Sequence, residues 1–172
     1  MVAFTSLSLA TFAQASPVQT TVAADGPNHF QVSLETVVEA SSAAVWSTLT
    51  DYEHHAQFMP YMTQSQLIES SPVVVQQQGR IRILFWVYMI NVSQEVFAHP
   101  PSEIKFRAIA GDFKQLEGVW SLSDNHGKTN LACKFALQPK RKVPEWAVRL
   151  VVRHYLKDMV SELAKHAQGV KT

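Results

Sequence analysis

Residues 80–96, RIRILFWVYMINVSQEV, decide how the chain is read. They form the longest strand-like run in the sequence, and as one straight strand 17 residues would reach about 55 Å. A compact domain of about 150 residues has a radius of gyration of only about 15 Å. The strand is therefore expected to bend, and a bent antiparallel sheet presents a concave face. Bulges or glycines commonly produce such curvature, which gives Gly79, Gly111 and Gly118 a role. Within the run, residues 83–90 (ILFWVYMI) are apolar at odd and even positions alike, where a sheet with one wet face would alternate. One face can serve an interior cavity. Burial of both faces inside the monomer explains the other, whereas an exposed Trp86 and Tyr88 would mark an interaction patch.

On the N-terminal side, Phe30, Val32, Leu34, Thr36 and Val38 alternate with polar residues, which predicts a half-buried first strand. Ser41 or Ser42 can cap a short helix carrying Val45, Trp46, Leu49 and Tyr52, and a second helical turn holds Phe58 and Met59 before Pro60 stops it. From Thr63 to Leu137 the chain reads as strands separated by turns at residues 69–72, Gln78-Gly79, residues 99–102, Gly111-Asp112 and residues 124–127. Connections this short imply an antiparallel meander. Pro144 then opens a long helix with Val148, Val151, Val152, Tyr155, Met159 and Leu163 at helical spacing. Residues 144–167 would extend about 36 Å, enough to lie across a whole sheet, and Gly169 ends the run.

The order of these elements, with Val45-Trp46-x-x-Leu49-Thr50-Asp51-Tyr52, Phe58-Met59-Pro60, Gly111-Asp112-Phe113, Leu116-x-Gly118-x-Trp120 and Pro144, resembles the START-related helix-grip superfamily of polyketide cyclases/dehydrases and lipid-transport proteins, including coenzyme Q-binding members. The resemblance spans about residues 28–168. It implies an α+β helix-grip fold, a curved antiparallel sheet wrapped around a long C-terminal helix with two short helices after strand one. It also implies a hydrophobic cavity between helix and sheet. The matching residues are packing and turn positions, so they carry architecture rather than a reaction.

Composition narrows the function. With 15 Lys+Arg against 14 Asp+Glu the formal charge is +1, which gives no general reason to expect nucleic acid. Cys133 is the single cysteine, so neither an internal disulfide nor a thiolate metal cage is available, and a core must supply the stability. Residues 1–15 read as a signal peptide: residues 2–12 are uncharged and mostly apolar, and Ala13-Gln14-Ala15 fits a small-x-small cleavage site, although no positive charge precedes the run. An uncleaved tail is the alternative. Residues 16–27, SPVQTTVAADGP, read as a linker, residues 28–168 as the ligand-binding domain and residues 169–172 as a tail. The expected location is accordingly periplasmic or secreted, with the cytoplasm as the alternative.

The expected cavity residues are Trp46, Leu49, Phe58, Met59, Phe85, Val87, Trp120, Phe135, Val151, Tyr155 and Met159, with Tyr88, Tyr155, Arg82 and Gln115 as polar groups able to orient a ligand. Catalytic signals are weak. His54 and His55 are adjacent and diverge by about 100° on a helix, so they read as surface or helix-end residues, and Asp51 as a turn organiser. Cys133 sits in the alternating set Leu131, Cys133, Phe135 and Leu137 as a small core residue. No metal or cofactor is expected. Arg149, Arg153 and Lys157, spaced by four, form a basic stripe that is either a solvated face or a contact for anionic lipid headgroups. The leading expectation is a carrier for an apolar small molecule such as a lipid, quinone or polyketide-like ring. A cyclase/dehydrase-like enzyme using the same pocket is the alternative, and a protein-interaction module the third.

Overall fold

A computed structural model describes residues 17–169. The expected signal peptide, residues 1–15, and the last three residues of the expected tail lie outside the described residues. The elements are β1 (Gln19–Gly26), β2 (His29–Val38), α1 (Ser42–Thr50), α2 (His55–Phe58), β3 (Met62–Ser70), β4 (Val73–Ile83), β5 (Trp86–His99), β6 (Glu103–Gly111), β7 (Phe113–Asn125), β8 (Lys128–Pro139) and α3 (Glu145–Gly169). All eight strands form one antiparallel sheet in the order β1-β2-β8-β7-β6-β5-β4-β3. This is the α+β helix-grip architecture, a curved sheet and a long C-terminal helix with two short helices between β2 and β3.

Three expectations fail, each for a local reason. The 17-residue run is not one bent strand: it folds back on itself between β4 and β5, with Ile83 opposite Trp86 and a two-residue turn at Leu84-Phe85. Leu84 takes φ 53°, a left-handed conformation that glycine or asparagine normally supplies, so no turn residue marks the reversal. Gln78-Gly79, which does look like a turn, lies inside β4 opposite Asn91 and Ile90. Residues 16–27 are more than a linker, because β1 pairs along β2 from Gln19↔Glu35 to Gly26↔His29 and buries Val22. Its other side chains are mostly exposed, which gives the polar composition of an edge strand.

The remaining elements follow from their sequences. In β2, Phe30, Val32, Leu34, Thr36 and Val38 all face inward, as their period of two requires. Ser41 caps α1 by accepting from the amide of Ala44 at 3.3 Å. The carbonyl of Pro144 accepts from Ala147 and Val148 and so begins α3, while Gly169 is its last residue rather than part of a separate tail. Asn28, at φ 58°, ties the start of β2 to the segment ahead of α3: its side-chain amide donates to the carbonyls of Pro139 (2.8 Å) and Arg141 (3.0 Å) and accepts from the Val143 amide (3.1 Å).

The 25-residue helix α3 is about 38 Å long. It packs on α1 and α2, and its sheet contacts fall chiefly on β1 at one edge and β4 near the other. Arg149 reinforces the first of these by donating to the carbonyl of Val22 while pairing with Glu145. The helix thus bridges the two margins of a concave sheet. The strands between them come close together where residues are small: a Cβ on Gly118 would lie 2.4 Å from both the Lys134 carbonyl oxygen and the Phe135 Cβ on β8. Gly111, at φ 114°, turns the chain between β6 and β7 against the Asn91 carbonyl.

Gly118→Ala is expected to cost about 2 kcal/mol in urea denaturation, because neighbouring backbone must move. Gly127→Ala, at φ 83° with nothing within 4 Å, should cost only conformational strain of about 1 kcal/mol.

Candidate functional site

Between the helix and the sheet lies a cavity of about 720 Å³. It exists because the helix rests on the margins of the sheet and its side chains do not fill the space over the central strands. The alternation of β5 sends Trp86, Tyr88, Ile90, Val92, Gln94 and Val96 into this space, joined from β4 by Gln77, Gly79, Ile81 and Ile83. The opposite parity of β5 points out of the sheet, which explains the unbroken apolar run. Phe85 at the turn is 91% exposed, and Val87 and Met89 beyond it are exposed as well.

Of the eleven expected cavity residues, Leu49, Met59, Trp120, Phe135, Val151, Tyr155 and Met159 line this space. The other four do not. Trp46 packs half-buried against the core, and Phe58 stacks on His166 with ring centroids 4.0 Å apart. Phe85 misses the cavity because it lies in the turn, and Val87 because it takes the outward parity of β5 opposite Arg82. Of the expected polar groups, Tyr88 and Tyr155 line the cavity, but Arg82 shares the outer face with Val87, and Gln115 is occupied with His29 (3.0 Å) and Glu117 (2.7 Å).

One residue of the wall, His55, lies in an environment different from the surface or helix-end position its sequence suggests. His54 is an exposed helix-end residue paired with Asp51 at 2.6 Å, as expected, but its neighbour His55 is 5% exposed and reaches the cavity wall. Its Nε2–H donates to the Thr48 carbonyl at 3.0 Å, and its Nδ1 faces the Gln77 amide nitrogen at 3.5 Å. Gln77 in turn accepts from Gln94 at 3.2 Å. These three residues come from α2, β4 and β5 and form a polar chain on a mostly apolar wall. The only sequence sign of it is polar side chains at positions whose strand parity points inward, which cannot be read before the Leu84-Phe85 turn is known.

The electrostatics favour uncharged groups. Desolvation lowers the His55 pKa, with the Thr48 hydrogen bond opposing it, so the imidazole is held neutral. Burial pushes Tyr52 up to about 12 and raises Tyr155 too, leaving both as phenols able to donate a hydrogen bond. Burial likewise raises the thiol of Cys133, which borders the cavity as a neutral group. Among the described residues no cluster of three or more His, Cys, Asp or Glu could hold a metal ion, and no helix is long and apolar enough to cross a membrane.

At the open end the lining includes exposed residues: Leu84 and Trp86 from the hairpin, Arg141 and Lys142 from the segment held by Asn28, and Trp146 from the first turn of α3. Tyr61 forms part of the side wall, donating to Asp158 of α3 at 2.5 Å with its ring 6.1 Å from that of Tyr155.

A helix bridging a concave antiparallel sheet over an apolar cavity defines a helix-grip protein. The sequence profile of the family described as polyketide cyclase/dehydrase and lipid transport matches residues 38–164, and the chain belongs to that family. Among curated proteins none matches the sequence. The fold is similar to that of a STAR-related lipid transfer protein from Xanthomonas axonopodis, with a TM-score of 0.72 and 13% identity over 90% of this chain and 98% of that one. A START superfamily protein from Mycobacterium smegmatis gives 0.70 and 18%, covering 82% and 99% of the two chains. The Zhui aromatase/cyclase from Streptomyces sp. R1128 gives 0.66 and 14%, covering 81% and 94%.

His55 makes a signed prediction. Because its folded pKa lies below the ordinary value of 6.5, its contribution to stability is complete above pH 6.5 and is lost as the pH falls from there towards the folded value. The exposed His29 and His54, raised by the hydrogen bonds they donate to the carboxylates of Asp25 and Asp51, act in the opposite sense. They are shared by wild type and variant. Thermal melts at stepped pH should therefore show His55→Gln losing less stability than wild type below pH 6.5, whereas parallel curves would contradict a buried neutral imidazole.

Proposed function

We propose that the protein is a carrier that encloses one apolar small molecule bearing a hydrogen-bonding group, such as a lipid, a quinone or a polyketide-like ring. The observation that carries this reading is the cavity itself, about 720 Å³ with apolar walls and an exposed mouth. Ligand sites are typically about 300–1,000 Å³, with a few polar groups fixing orientation. The chain His55–Gln77–Gln94, with Tyr88 and Tyr155, suits a carbonyl or hydroxyl on the cargo. An anionic headgroup would find no cation among these five residues, and burying it there unpaired would be costly. A cargo held with its oily body inside and its charged part, where it has one, at the mouth meets both conditions.

His55 also gives the enzyme reading a specific foothold, since a neutral imidazole on a pocket wall is a proton acceptor in the right place. Against it, both ring nitrogens already have partners in the chain, the Thr48 carbonyl and the Gln77 amide. A carrier needs no proton transfer, so His55→Gln should retain cargo, whereas a cyclase/dehydrase-type enzyme would lose turnover of a polyketide substrate while still binding it.

Export completes the proposal. The apolar residues 2–12 and the Ala13-Gln14-Ala15 pattern support delivery outside the cytoplasm. The intact mass of the protein recovered from its own cells should then correspond to a chain lacking the first 15 residues, and a full-length mass in the cytoplasmic fraction would contradict it.

Binding is tested by filling the space. Val151 lines the cavity from α3 and is only partly buried. Val151→Trp should weaken binding of an apolar fluorescent probe such as anilinonaphthalene sulfonate by about tenfold or more, with a loss of stability no larger than the roughly 1–3 kcal/mol typical of overpacking. Unchanged probe affinity in a folded variant would place binding elsewhere.

A further inference from the structure

The tip of the β4–β5 hairpin is the least explained part of the surface. Leu84, Phe85, Trp86 and Val87 are 67%, 91%, 70% and 57% exposed, and Tyr88 and Met89 behind them remain open to solvent. Six consecutive large apolar or aromatic side chains on a protruding two-stranded ribbon exceed the scattered exposure of an ordinary surface. The turn is made by Leu84 in a left-handed conformation where glycine or asparagine would be cheaper, so backbone requirements do not account for apolar residues at the tip.

Charge on the hairpin itself is one-sided. Residues 73–94 contain no Asp or Glu, but Arg80 and Arg82 lie on the outer face opposite Met89 and Val87. Across the mouth, residues 140–142 are Lys-Arg-Lys, followed by the exposed Trp146 and Leu150 on α3. None of these five cations has a carboxylate partner among the described residues, whereas Lys105, Arg107, Lys128, Arg149 and Lys165 are all ion-paired. Unpaired cations beside exposed Trp, Tyr and Phe fit an anionic lipid–water interface: the aromatic and aliphatic groups enter the headgroup boundary, and the cations meet lipid phosphates.

We infer that the hairpin tip and the facing 140–150 segment dock on an anionic bilayer, with the cavity mouth against the membrane. This rests on the carrier reading for its purpose, since Leu84, Trp86, Arg141, Lys142 and Trp146 border the cavity as well as the solvent. Cargo could then pass between bilayer and cavity without crossing water. The docking edge differs from the stripe of Arg149, Arg153 and Lys157, whose first member is engaged with Glu145 and the Val22 carbonyl. A second copy of the chain suits the surface less well. Symmetric pairing through a narrow ribbon would bring Arg80 and Arg82 near their own counterparts, and stable interfaces usually bury about 800 Å² from each partner.

Co-sedimentation of the full chain with vesicles tests the inference, using pure phosphatidylcholine and an equimolar mixture of phosphatidylcholine and phosphatidylglycerol. Wild type should bind the anionic vesicles more tightly. Phe85→Ser combined with Val87→Ser should weaken that binding by about tenfold or more, and Phe85→Ser alone serves if the double variant fails to fold. Arg80→Gln and Arg82→Gln should each weaken binding to anionic vesicles by about fivefold and change binding to pure phosphatidylcholine little. Phe85 and Val87 do not border the cavity, so cargo retention in native mass spectrometry should be unchanged in their variants. Wild-type-like vesicle binding by the folded variants, no binding by wild type, or a dimer in sedimentation equilibrium that Phe85→Ser dissociates would overturn the inference. Vesicle binding by a protein that never retains cargo would leave the docking edge standing and remove the carrier reading instead.

Discussion

The structure depends on how one helix is supported. α3 rests on β1 at one margin of the sheet and approaches β4 near the other, with α1 and α2 packed against it. Its buried face, including Val152, Leu156, Val160 and Leu163, satisfies the hydrophobic requirement at these supports. Val151 and Tyr155, one residue round the helix, border the cavity and are only partly buried. A flat sheet would meet the whole helix and close the space. The concave one leaves an apolar volume that the protein's own side chains do not fill.

That support explains why parts far apart in sequence act together. Arg149 joins the helix to β1, Asn28 fixes the segment leading into the helix, and Tyr61 ties the entry to β3 to Asp158. Arg149 and Asn28 do this from outside the cavity lining, whereas Tyr61 is itself part of the side wall. The polar chain from His55 to Gln94 is a different kind of feature. Buried side-chain polar atoms among the described residues all have partners, so the chain is satisfied within the protein and can exchange one hydrogen bond for a ligand's without leaving a charge uncompensated.

Much of this was legible in the sequence because it rests on local rules. The alternation in β2, the Ser41 cap and Pro144 ahead of α3 are each visible in a window of a few residues, and the residues shared with the helix-grip superfamily order them into one architecture. The failures share a cause. At Leu84-Phe85 tertiary structure imposes a turn on residues with no turn preference, and the reversal decides which alternate residues of β5 face the cavity, so Phe85 and Val87 lie outside while Tyr88 and Gln94 line it. β1 was hidden because one buried residue, Val22, is too weak a periodic signal for a strand. His55 was hidden because a four-residue helix has no face to read, and its burial depends on α2 lying over β3 and against α3.

The central claim is that the space between α3 and the sheet is kept open for a molecule. Native mass spectrometry of the protein purified from its own cells without detergent tests it most directly. The account predicts a complex heavier than the polypeptide by one small molecule, which organic extraction releases as an apolar compound bearing an oxygen functional group. A polypeptide of bare mass that also fails to take up lipids or quinones supplied in excess would contradict it.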